Sequence, residues 1–173
     1  MPATDIRRTL VIGGARSGKS RHAEALVMAT PPPWLYVATA EAHDGEMRAR
    51  IAEHRLRRDA RWETLDAPLD LAAALAGAGT GGRAVLVDCA TLWLSNIMLA
   101  GRDVEAETAR LVEAVSAVPG SLVVVSNEVG LGIVPETPLG RRFRDAQGRL
   151  NQRLAEVADR VVLTVAGLPL TVK

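Results

Sequence analysis

The segment Gly13-Gly14-Ala15-Arg16-Ser17-Gly18-Lys19-Ser20 has the spacing G-x-x-x-x-G-K-S. It is preceded by a short β-branched apolar run, Thr9-Leu10-Val11-Ile12, and followed by a helix-forming run from Arg21 to Ala29. Strand, glycine-rich turn and helix together are the context that a phosphate-binding loop requires. Glycines let the backbone curl so that successive N–H groups point at phosphate oxygens. The helix N-terminus adds partial positive charge, Lys19 can reach the β- and γ-phosphates, and the Ser20 hydroxyl can ligate Mg²⁺. A chance glycine-rich turn would not need every one of these positions. The segment therefore predicts binding of a nucleoside triphosphate.

At 173 residues the chain is expected to form a single domain over its full length, 1–173, with a full core. A net charge of +1 gives no general electrostatic case for nucleic acid or for insertion at an acidic membrane. Three tryptophans, one tyrosine and one phenylalanine are too few for a base-stacking platform. Cys89 is the one cysteine, which excludes an intrachain disulfide and a cysteine-cluster metal site and points to a reducing, cytoplasmic setting. The apolar run near the N-terminus stops at Gly13-Gly14, too soon for a signal peptide or a membrane span.

Along the chain, Pro31-Pro32-Pro33 ends the first helix and Trp34 to Ala38 reads as a second buried strand. Glu46 to Arg58 reads as a helix with Met47, Ile51 and His54 on one face and several arginines around it. Asp66-Ala67-Pro68 reads as a turn, and Leu69 to Ala76 as a short helix. Ala84 to Asp88 is a third strand, closed by a carboxylate, and Thr91 to Leu99 a helix. Asp103 is placed to cap a helix over Val104 to Val118, and Leu122 to Val125 is a fourth strand leading into Ser126-Asn127-Glu128. A long helix over Leu139 to Ala158 precedes a strand over Val161 to Val165 and a short edge strand at Leu170-Thr171-Val172. Apolar strands alternating with helices predict an α/β fold, a mostly parallel sheet covered on both faces. Ligands bind beyond the carboxyl ends of such strands, which collects Gly13–Ser20, Thr39, Asp88 and Ser126–Glu128 on one edge.

Asp88 has the position of a Walker B carboxylate that holds Mg²⁺ opposite Ser20, or alternatively caps the following helix. Glu128 could act as a base toward an attacking hydroxyl, orient its loop, or bind a hydroxyl without proton transfer. Of the histidines, His22 suits packing beside the phosphate loop and His43 falls in a loop. His54 is either a core residue or a nucleophile. Nearby arginines disfavour imidazolium, and a neutral imidazole can attack phosphorus. The arginines themselves read equally well as a solvated helix face or as a phosphate clamp.

Beyond the phosphate loop, Tyr36-Val37-Ala38-Thr39, Glu46-Met47 through His54-Arg55, and Val87-Asp88-Cys89 follow in order. Then come Asn127-Glu128-Val129-Gly130-Leu131-Gly132-Ile133-Val134-Pro135, Phe143-Arg144-Asp145, Gly148-Arg149 and Asn151-Gln152. With these segments the chain, from Leu10 to Val172, resembles the bifunctional adenosylcobinamide kinase/adenosylcobinamide-phosphate guanylyltransferase family of cobalamin biosynthesis. The resemblance implies a RecA-like P-loop NTPase fold and a homotrimer. It also implies two reactions. The aminopropanol hydroxyl of a corrinoid, adenosylcobinamide, is phosphorylated with ATP or GTP. GMP is then transferred from GTP through a guanylyl-histidine, releasing pyrophosphate. His54 is the residue matching that histidine, with Lys19 as the other catalytic residue. Nucleotide contacts carry over to Gly13, Gly14, Ala15, Arg16, Ser17, Gly18, Lys19 and Ser20, to Ala38, Thr39 and Ala40, to Arg55, Leu56, Arg57 and Arg58, and to Asp66 and Asp88. Asp66 stands where some relatives carry glutamate. The metal falls to Ser20 and Asp88.

Two other readings compete with this one. A phosphate-loop kinase of another small alcohol would lack the nucleotidyl step. A GTP-dependent regulatory module would carry an N-K-x-D segment after a strand. Here Asn127-Glu128-Val129-Gly130 lacks both the lysine and the aspartate.

Overall fold

Strands apolar on both faces are stable only between two covering layers, and that requirement shapes the molecule. In the computed structural model, which describes residues 7–41, 45, 52 and 58–173, one sheet takes up all the strand runs. Its strands are β1 (Arg8–Gly13), β2 (Trp34–Ala38), β3 (Trp62–Asp66), β4 (Val85–Asp88), β5 (Leu122–Asn127), β6 (Arg160–Val165) and β7 (Leu168–Thr171). The spatial order is β3-β2-β4-β5-β1-β6-β7, and only the β6–β7 pair is antiparallel. The helices are α1 (Lys19–Met28), α2 (Leu71–Ala76), α3 (Ala90–Leu99), α4 (Val104–Ala117) and α5 (Pro138–Val157). The expected helix over Glu46–Arg58, with His54, Arg55, Leu56 and Arg57, lies outside the described residues except at positions 52 and 58.

Alternation along each strand sends its side chains to two separate cores. Leu10, Leu122 and Val124 pack with Leu71 of α2, Trp93 and Ile97 of α3, Leu111 of α4 and Leu150 and Leu154 of α5. Val11, Tyr36, Leu86, Val123 and Val125 face the other way, toward Ala23 and Val27 of α1. Helix ends follow their cap residues. Asp103 accepts hydrogen bonds from the N–H groups of Glu105 and Ala106, and Thr137 accepts one from Gly140. Proline suits a first helical turn because its missing N–H has no partner there anyway, so α5 begins at Pro138.

The sheet departs from the sequence reading at its edges. β3 was not expected, and Asp66 ends this strand instead of opening a turn. Trp62-Glu63-Thr64-Leu65-Asp66 has no apolar run because four of its five residues are exposed, and an edge strand needs little burial. Its register with β2 and the packing of Trp62 on Trp34, ring centroids 5.2 Å apart, hold it in place. β7 starts two residues earlier than expected, after a tight turn in which Ala166 and Gly167 both have positive φ, 52° and 82°. Such a turn matches the twist of a hairpin.

Candidate active site

The phosphate loop leaves β1 at Gly13 and enters α1 through Gly18, which adopts φ 93°. No side chain caps α1, so its first N–H groups remain available to an anion. The Lys19 ammonium folds back over the loop and donates to the Gly14 carbonyl at 2.9 Å. Burial pushes its pKa down, while the Cys89 thiol and the Asp88 carboxylate pull the other way. Burial, and then Asp88, push the Cys89 thiol up to about 12, so at neutral pH Asp88 supplies the counter-charge.

The β6–β7 hairpin braces this loop. Thr164 Oγ1 lies 2.8 Å from Ser17 Oγ, and the Gly167 N–H donates to the Ser17 carbonyl at 2.9 Å. Thr164 and Gly167 escaped sequence reasoning because they are 147 or more residues away from Ser17; no local signal marks them. The brace leaves no room at Gly13. A β-carbon there would meet Thr164 Oγ1, would lie 2.5 Å from Ser17 Oγ, and would lie 2.8 Å from the Thr164 carbonyl oxygen. Gly13→Ala is expected to cost about 1–3 kcal/mol of stability, the range for overpacking a filled site. It should weaken nucleotide binding in parallel. Urea unfolding and a nucleotide titration would read the two effects.

At the end of β4, Asp88 accepts a hydrogen bond from the Tyr36 hydroxyl at 2.8 Å. Burial, then Asp88 itself, raise the phenol's pKa, so Tyr36 stays protonated and remains a donor. The Arg58 guanidinium lies 3.5 Å above the Tyr36 ring centroid, which brings the end of the arginine-rich segment beside the residue that orients Asp88. Its Nη1 is buried without a hydrogen-bond partner among the described residues.

Thr39 is wholly buried. Its hydroxyl donates to the Cys89 carbonyl at 2.7 Å and accepts from the Cys89 N–H at 2.8 Å, while Asn96 holds its carbonyl. Thr39 thus fixes the β4 terminus, between Ala38 and Ala40 in the chain. Asp66 is level with Ala38 at the end of β3, so Asp66, Ala38 and Asp88 share one sheet edge.

The Glu128 N–H donates to the Gly13 carbonyl, and its Oε1 accepts from the Gly130 N–H at 2.6 Å. Of the three readings of Glu128, this geometry carries the loop-orienting one. The loop that follows leaves Leu131 and Ile133 almost wholly exposed. Burial, and then Arg160, lower the pKa of His22, consistent with a neutral ring packed beside the phosphate loop. Among the described residues no group of three or more His, Cys, Asp or Glu could hold a metal, and no helix is long and apolar enough to cross a membrane.

Residues 9–172 match the family described as cobinamide kinase / cobinamide phosphate guanyltransferase. The chain is 51% identical over 168 residues to a bifunctional adenosylcobalamin biosynthesis protein, CobP, of Pseudomonas aeruginosa, covering 96% of this chain and 97% of that one. It is 41% identical to the bifunctional adenosylcobalamin biosynthesis protein CobU of Salmonella typhimurium, with 95% and 98% covered. Among solved structures, it is similar to an ATPase from the type III secretion system of pathogenic bacteria, with TM-score 0.59 and 11% identity over 95% of this chain. The ATPase EscN of enteropathogenic E. coli is similar at the same TM-score and identity. The chain spans 56% and 43% of those two ATPases, and at such identity the likeness shows the P-loop ATPase fold alone.

Proposed function

Because the chain belongs to the cobinamide kinase / cobinamide phosphate guanyltransferase family, we propose that it carries out both reactions, with one nucleotide site built on the phosphate loop. It is a transferase of cobalamin biosynthesis that uses nucleotides as substrates. The observation that carries the reading is the loop Gly13–Ser20 at an uncapped helix, with Lys19 beside Asp88.

In the first reaction the aminopropanol hydroxyl of adenosylcobinamide gives up its proton to solvent as its oxygen bonds to the γ-phosphorus of ATP or GTP. The bond to the β–γ bridging oxygen breaks, and the nucleoside diphosphate leaves. Lys19 and the α1 N–H groups stabilise charge on the moving phosphoryl group. Ser20 and Asp88 suit Mg²⁺, an ion usually held by one or two protein oxygens, with phosphate and water completing its shell. When bound there it would neutralise phosphate charge. Tyr36 keeps the Asp88 carboxylate oriented. The exposed Leu131 and Ile133 give a large corrinoid acceptor apolar surface next to the loop.

In the second reaction a His54 ring nitrogen bonds to the α-phosphorus of GTP and pyrophosphate leaves. An oxygen of cobinamide phosphate then displaces the histidine, giving adenosyl-GDP-cobinamide. Arg55, Leu56, Arg57, Arg58 and Asp66 belong to the nucleotide contacts of this reading, and a cytoplasmic homotrimer belongs to it by family resemblance.

Incubation with Mg²⁺ and GTP labelled at the α- or the γ-phosphate tests the scheme. Acid-labile label on the protein from the α-position alone, with pyrophosphate released, is the expected result. Absence of both would reduce the protein to a kinase.

A further inference from the structure

The segment Asn127-Glu128 is one of the sequence motifs that the scheme above leaves without a chemical role. Its geometry is unusual. Both main-chain groups of Asn127 are held by side chains from other elements. The N–H donates to Thr91 Oγ1 at 2.7 Å, and the carbonyl accepts from Asn151 Nδ2 at 3.0 Å. Behind them lies a buried polar cluster. Ser126 donates to Asn151 Oδ1 at 2.7 Å, and Gln147, wholly buried, donates to both Ser126 and Asn151 at 2.9 Å. A core position costs stability when filled by polar groups instead of apolar ones, and here four such residues secure a single strand end.

The Asn127 carboxamide itself makes no hydrogen bond among the described residues. Strand alternation sets its direction. Val123 and Val125 face α1, so Asn127 is in phase with them, as Asp88 is with Leu86 and Gly13 is with Val11. Asn127 pairs with Gly13, while Asp88 is level with Val125. Asn127 therefore stands two residues beyond Asp88, about 6–7 Å farther along the strand direction. It lies beside the phosphate loop, on the face where Lys19 and the α1 N-terminus converge.

We propose that the Asn127 carboxamide binds the terminal phosphate of the nucleoside triphosphate, donating a hydrogen bond to a γ-phosphoryl oxygen, and that the Thr91–Ser126–Gln147–Asn151 cluster is its positioning scaffold. The site thereby distinguishes triphosphate from diphosphate. The inference rests on the nucleotide site of the proposed function, and it does not require the histidine step.

The test compares Mg²⁺-dependent binding of a non-hydrolysable ATP analogue and of ADP to wild type, Asn127→Ala and Asn127→Asp. Asn127→Ala should weaken the triphosphate analogue about tenfold or more, the scale of a hydrogen bond to a charged group, with ADP affinity within about twofold. Asn127→Asp, close in shape but anionic, should weaken the analogue further. Equal losses for both nucleotides, or no loss, would overturn the proposal, and a merely structural role predicts equal losses. Should Asn127→Ala not fold, the near-isosteric Asn127→Asp carries the comparison. A wild type that binds the analogue but leaves cobinamide unphosphorylated would refute the proposed function and still decide the role of Asn127.

Discussion

Replacing Lys19 with alanine is expected to lower cobinamide phosphorylation at least about a hundredfold, because a lost oxyanion-type contact is worth roughly 3–4 kcal/mol. Guanylyl transfer should fall as well, since in the proposed scheme one loop holds the triphosphate for both reactions. Initial rates at saturating nucleotide would show whether the loss is in kcat, as a contact strengthened in the transition state requires. The structure adds a second expectation. Burial depresses the Lys19 pKa, so the unfolded chain binds this proton more tightly than the folded one. Its protonated form therefore costs stability below the folded-state pKa, and the cost fades as pH rises toward the ordinary lysine value. Lys19→Met, which keeps the stem and removes the charge, should give a nucleotide-free protein at least as heat-stable as wild type at pH 7. A lower melting temperature in Lys19→Met, read by calorimetry, would mean that the 2.9 Å bond to Gly14 outweighs the cost of burying the charge.

His54→Ala is expected to remove guanylyl transfer, by about a thousandfold or more, while cobinamide phosphorylation changes little. Losing a nucleophile removes a whole covalent pathway, so its effect exceeds that of losing one stabilising contact. The arginines on the same segment make the assignment chemically reasonable, since neighbouring cations disfavour imidazolium and keep the ring nucleophilic. Arg58, the described member of that group, lies against Tyr36, which in turn holds Asp88, so the segment ends next to the phosphate site. The γ-label and α-label assays, run on one preparation, separate the two activities. Equal loss of both in a folded variant would sink the division of labour.

Much of this was legible in the chain. The runs at Thr9–Ile12, Trp34–Ala38 and Ala84–Val87 carried enough β-branched or aromatic apolar character to announce buried strands, and each is found in the sheet. Asp103 announced its helix because a cap is a local hydrogen bond. The placement of Lys19 at the start of α1 and of Asp88 at the end of β4 was legible because a phosphate loop constrains spacing and a strand-terminal carboxylate follows an apolar run. β3 was not legible, since an exposed edge strand that carries Glu63, Thr64 and Asp66 looks like a loop. The part Thr39 plays in fixing the β4 terminus was not legible either, because its hydroxyl bonds to the Cys89 main chain, a partner 50 residues away.

The sequence by itself determined the strand–loop–helix unit, the parallel α/β class and the family, because these depend on neighbours within a few residues or on ordered motifs. Only the tertiary structure decided which distant groups complete the site. Thr164 and Gly167 brace the loop from the far end of the chain, and Tyr36 aims Asp88. The strand order places Asn127 beside Gly13. Side chains brought together by sheet order leave no periodicity in the sequence, so their partnership exists only once the strands have paired.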